Sequence, residues 1–65
     1  MAKFRVGDVV RLKSGGPKMT IEDIKPDRLD WFYRTKDFIT CIWYDRDGTL
    51  RRETFEDKVL EEARD

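Results

Sequence analysis

The sequence predicts a small all-β domain, and three observations predict it. Residues 9–13, 19–22, 38–44 and 50–55 are short runs, most of which alternate apolar and polar side chains with period two. Turn formers punctuate those runs: Gly7-Asp8, Ser14-Gly15-Gly16-Pro17 and Asp47-Gly48. Helical patterning is confined to two short segments, one after residue 25 and one at the C-terminal tail.

The first strand places Val10 and Leu12 on one face and Arg11 and Lys13 on the other. Ser14-Gly15-Gly16-Pro17 then reads as a break. Two glycines permit positive φ, Pro17 fixes its own φ, and Gly16 is steered away from the helical region by the proline after it. The second strand follows with Met19 and Ile21 inward, so the pair reads as a hairpin or a diverging turn. The third strand is the longest and is rich in β-branched and aromatic residues. Ile39, Cys41 and Trp43 share one face, and Phe38, Thr40, Ile42 and Tyr44 the other. An Asp-Gly connection leads into a fourth strand whose charges discourage edge-to-edge pairing.

Two segments are open to more than one reading. In residues 25–34, Pro26 suits the first position of a helix, and Leu29, Phe32 and Tyr33 would form one stripe. Alternation of Leu29, Trp31 and Tyr33 would instead extend a hairpin; the short helical turn is preferred. The tail is either an α-helix capped by Thr54 or a 3₁₀ turn followed by a strand through Val59 and Leu60.

At 65 residues the chain is expected to be one domain, residues 1–65. A single small sheet cannot hide a face unless it curls. The expected architecture is therefore an SH3-like barrel of four to five short antiparallel strands, with a short helical or irregular insertion between strands two and three. Its expected core is Val10, Leu12, Met19, Ile21, Ile39, Cys41, Trp43, Phe55 and Leu60.

The pattern Val10-x-Leu12-Lys13-x-Gly15-Gly16-Pro17-x-Met19, then Cys41-x-Trp43-Tyr44, then Phe55 and Leu60, resembles the YodC-like proteins. These are small bacterial proteins grouped as a domain of unknown function. The resemblance spans residues 4–61. It implies a compact barrel of SH3-like character, an intracellular bacterial or phage setting, and the 3₁₀-plus-strand form of the tail. It implies no catalytic residue. The chain departs from the family's compact form at residues 25–37, a longer connection that carries Trp31-Phe32-Tyr33.

Composition narrows the function. A lone Cys and no His offer neither a disulfide framework nor an ordinary zinc set, so no metal or cofactor is expected. No apolar run is long enough for a membrane helix, and no signal-peptide pattern opens the chain, so a cytoplasmic protein is expected. Fourteen basic and fourteen acidic residues give a net charge of zero. The balance is uneven: residues 1–20 carry +4, and residues 21–45 and 46–65 carry −2 each.

Chemistry-bearing motifs are weak. The Gly-Gly-Pro segment is followed by a strand rather than the helix a phosphate loop needs. Cys41 has no His to activate it and alternates with core residues. Asp45 and Asp47 lack the further oxygen ligands of a calcium loop. An enzyme is not expected. The expected role is protein–protein recognition through Trp31, Phe32, Tyr33, Arg34 and Tyr44, because three adjacent aromatics cannot all enter one small core. One alternative is RNA or DNA binding through Lys3, Arg5, Arg11, Lys13 and Lys18. A further alternative is self-association into a homo-oligomer.

Overall fold

A computed structural model of the chain describes residues 4–26 and 37–63. Among the described residues, five strands form one antiparallel sheet: β1 (Val9–Leu12), β2 (Gly15–Pro26), β3 (Asp37–Tyr44), β4 (Leu50–Glu56) and β5 (Leu60–Glu62). A 3₁₀ turn, Asp57–Val59, joins β4 to β5. The strand order is β4-β3-β2-β1-β5, so the last strand docks on the first. This is an SH3-like arrangement whose sheet curls without closing, because β4 and β5 remain edges.

Two irregularities produce the curl. Between β1 and β2 the register moves from Val10↔Met19 to Leu12↔Gly15, so β2 carries the extra residues. Gly15 and Gly16, at φ +111° and +113°, supply a backbone that L side chains rarely adopt, and Pro17 is tolerated in the bulge. Between β2 and β3 the register slips again, from Ile21↔Cys41 to Asp23↔Thr40. That second bulge inverts the alternation of β2. Met19 and Ile21 face the core before it, and Ile24 packs against the core after it.

The core is Phe4, Val10, Met19, Ile21, Ile39, Cys41 and Leu60. Leu12, Ile24, Trp43 and Phe55 are partly buried against it. Ahead of β1, the Gly7 amide donates to the Ile21 carbonyl and the Ile21 amide donates to the Asp8 carbonyl, both at 2.9 Å. These bonds tie the entry segment to β2, and Phe4 buries its ring in the core.

The structure corrects several expectations. The hairpin turn is Lys13-Ser14, and Gly15, Gly16 and Pro17 belong to β2 instead of breaking the chain. A Gly-Gly-Pro segment can enter a strand because the bulge supplies positive φ and spares Pro17 a ladder bond. Pro26 ends β2, paired with Asp37, and does not start a helix there. Residues 27–36, where the rest of the helix-or-hairpin question falls, lie outside the described residues. Leu12, Trp43 and Phe55 are half-buried where full burial was expected, and Phe4 and Ile24 join the core packing. The tail takes the 3₁₀-plus-strand form, with the strand beginning at Leu60.

Candidate interaction surface

The connection between β3 and β4 is built on one side chain. Asp45 Oδ1 accepts the backbone amides of Asp47 at 2.9 Å and Thr49 at 3.0 Å. Its Oδ2 accepts Arg51 Nε at 2.8 Å. The amide of Asp45 in turn donates to the Thr49 carbonyl at 3.0 Å, and Gly48 turns the chain at φ +81°. An aspartate whose side chain bonds backbone amides two and four residues on is a rigid local clamp. Arg51 first, then the Thr49 amide, holds the Asp45 carboxyl below its usual 3.8.

The clamp fixes what stands beside it. Tyr44 and Leu50 are directly opposite each other at the mouth of the hairpin. Tyr44 is 72% exposed and Leu50 48%. On the outer face the neighbouring ladder row is Thr20, Ile42 and Arg52, from β2, β3 and β4. Two shallow grooves meet at Trp43 and Tyr44. One also touches Gly16, Pro17, Asp45 and Arg46. The other also touches Lys18, Thr20, Ile42 and Leu50. The β1–β2 bulge is what carries Gly16 and Pro17 to the first groove, so that bulge and the clamped β3–β4 hairpin meet on one surface.

Of the residues expected to bind a partner, Tyr44 is the one that falls among the described residues. Trp31, Phe32, Tyr33 and Arg34 lie outside them, as does Lys3. The other basic candidates are dispersed. Arg5 precedes the sheet, where its amide donates to Asp8 Oδ2 at 2.9 Å. Arg11 Nε donates to Glu61 Oε2 across β1 and β5 at 2.9 Å. Lys13 sits in the hairpin turn, and Lys18 lines the second groove. Two further arginines are bound to carboxylates, Arg51 to Asp45 and Arg52 to Glu22.

Leu50, Ile42 and Pro17 line the candidate surface but were not among the site residues expected from sequence, although alternation already set Ile42 on the outer face beside Tyr44. The loop is three residues, Arg46-Asp47-Gly48, which sets Asp45 opposite Thr49 and Leu50 opposite Tyr44; a two-residue Asp47-Gly48 turn would have set Leu50 opposite Asp45, one position off. Nothing in the sequence gives the approach of Pro17, which depends on the size of the bulge. Cys41 is fully buried, and burial raises its thiol above the ordinary 9.0. Among the described residues, no cluster of His, Cys, Asp and Glu is arranged to hold a metal ion, and no helix is long and apolar enough to cross a membrane.

A family model described as an uncharacterised small protein, DUF2158, matches residues 5–60. No curated protein and no solved structure matches the chain.

Proposed function

We propose, from the premise that the chain belongs to the family of uncharacterised small proteins DUF2158, that it is a non-enzymatic protein-interaction module which engages its partner at the Tyr44 surface. The observation that carries this reading is the exposed Tyr44–Leu50 pair on a hairpin clamped by Asp45. Aromatic residues anchor interfaces because they bury large area at low entropic cost, and a rigid hairpin reduces that cost further. Neighbouring Ile42 and Pro17 extend the apolar area.

Nucleic-acid binding has less support. Arg11, Arg51 and Arg52 already face carboxylates at 2.8–2.9 Å, and phosphate recognition draws its affinity from basic groups that replace counterions. The same proposal includes a cytoplasmic, bacterial setting and the YodC-like designation. Its support is the Lys13-x-Gly15-Gly16-Pro17-x-Met19 and Cys41-x-Trp43-Tyr44 runs.

The test is selection of a random peptide display library on the immobilised protein and on Tyr44→Ser. Tyr44 is exposed, so the variant should keep the wild-type circular dichroism spectrum and melting temperature. Peptides enriched on the wild type should bind the variant about tenfold more weakly or worse, the scale of one interface anchor. Equal binding to both proteins, or no enrichment on either, would overturn the reading.

A further inference from the structure

We infer that two copies of this chain associate antiparallel through the outer edge of β4, with the two-fold axis at Arg52, so that Arg51 of each copy faces Glu53 of the other. This interface is separate from the Tyr44 reading above and does not depend on it. Among the described residues β4 pairs on one side alone, with β3, and its first five residues are exposed. The other edge, β5, is three residues long against seven in β4, and so short an edge is a poor template for pairing.

The direction of the backbone groups limits how two such edges meet. In an antiparallel ladder alternate residues turn their N–H and C=O toward the partner strand, and those between turn both away. The Asp45 amide donates to the Thr49 carbonyl, so Asp45 and Thr49 are a bonded pair, and Leu50, Arg52 and Thr54 turn outward. The neighbouring strands agree. Ile21 spends its groups on Gly7 and Asp8, so Thr20 and Ile42 bond each other, and Ile42 has none left for Arg52. Two-fold related copies pair their edges antiparallel, and only residues of the same set stand opposite one another. The axis therefore passes through a residue and not between two.

Charge chooses the residue. An axis at Arg51 or Glu53 would set two like charges directly opposite each other, which is destabilising. An axis at Leu50 or Thr54 would run off β4 within two residues of the axis. An axis at Arg52 sets Arg51 opposite Glu53 twice and Leu50 opposite Thr54 twice, with about six backbone hydrogen bonds across the edge. Glu53 forms no ion pair with another described residue. Arg51 meets Asp45 through Nε, which leaves its Nη groups to the facing carboxylate. The two Arg52 side chains on the axis are each neutralised, because each reaches back over β3 to its own Glu22. Charges on an edge reject most pairings, and here they favour this one.

Sedimentation equilibrium of the full chain from about 10 μM to about 1 mM tests the inference. The wild type should pass from the mass of one chain to that of two. Thr54→Pro removes an outward N–H, which an edge strand tolerates, so it should keep the wild-type circular dichroism spectrum and stay monomeric. Glu53→Arg and Arg51→Glu should each weaken association about tenfold or more, and an equimolar mixture of the two should restore it as a heterodimer. Either test decides alone if a variant of the other has unfolded. A wild type of single-chain mass throughout would overturn the inference, and so would a dimer that survives in folded Thr54→Pro. A mixture no heavier than its two folded components would overturn it as well.

Discussion

The rings of Trp43 and Phe55 have their centroids 6.5 Å apart with planes tilted by 39°, although their backbones are not cross-strand partners. Trp43 stands opposite Arg51 and Phe55 opposite Ile39, four ladder positions away, about 13 Å along the strands. The two long side chains lean toward each other along the core face. Cys41 lies midway between them in the ladder and is fully buried.

That pair predicts the behaviour of the thiol. Cys41 should react with a thiol reagent in the folded protein only as fast as the core opens. Phe55→Ala or Trp43→Ala should accelerate labelling and cost about 2–3 kcal/mol each, less than the ~3–5 kcal/mol of a fully buried aromatic. Denaturant melts and labelling rates check both. Because burial raises the folded thiol's pKa above 9.0, its contribution to stability is complete below that value and is lost as pH rises past it. A Cys41→Ala variant should show less alkaline loss than the wild type.

Asp45 predicts the opposite pH dependence. Its folded carboxyl is held below 3.8, so the stabilisation is present above that pH and disappears as pH falls through the folded value. An NMR titration should place the Asp45 midpoint below 3.8, and Arg51→Gln should move it upward, since Arg51 is the largest cause. A midpoint unchanged by Arg51→Gln would show that the backbone amides alone set it.

Gly16 predicts a cost that comes from the backbone alone. A Cβ at this position meets nothing within 4 Å, yet φ is +113°. Gly16→Ala should destabilise by about 1–2 kcal/mol, the scale of left-handed backbone for an L residue. The same position carrying D-alanine, introduced by chemical synthesis, should melt close to the wild type. If D-alanine were as damaging as L-alanine, packing and not φ would be the cause.

The Arg52–Glu22 fork predicts salt sensitivity. Arg52 Nε and Nη2 donate to Glu22 Oε2 and Oε1 at 2.8 and 3.0 Å, bridging β4 to β2 over the intervening β3. Both side chains are exposed enough for salt to screen them. Arg52→Gln should lower the melting temperature at low ionic strength by less than any core truncation, and the difference should vanish at 1 M salt.

Much of the fold was legible because period-two alternation is a local signal. It picked out Val10, Met19, Ile21, Ile39 and Cys41, all of them buried, and Leu60, expected in the core from a tail with no alternation of its own, is buried too. It failed where the period changes: the bulge at Glu22 moves the inward position from odd to even numbers, so Ile24 went unnoticed. Phe4 was missed because its burial depends on the Gly7 and Asp8 bonds to Ile21, a contact between distant residues. Trp43 was read as fully buried because alternation reports the face of a strand and not the depth at its end. At the candidate site, the same alternation put Tyr44 on the outer face. The first groove beside it requires the bulge that delivers Pro17, which only three-dimensional register supplies.

The docking of β5 on β1 also governs how this chain can fold. Arg11 and Glu61 pair across fifty positions, and Leu60 fills the core opposite Leu12. Strands β2, β3 and β4 each pair with their neighbour in sequence order, but the core stays open on one side until the last strand arrives. Such distant pairing must be reached against loop entropy before it is rewarded, which slows the search. Val10 and Met19 stay exposed until Leu60 arrives, so closure of the core waits on the strand farthest from them in sequence among the described residues.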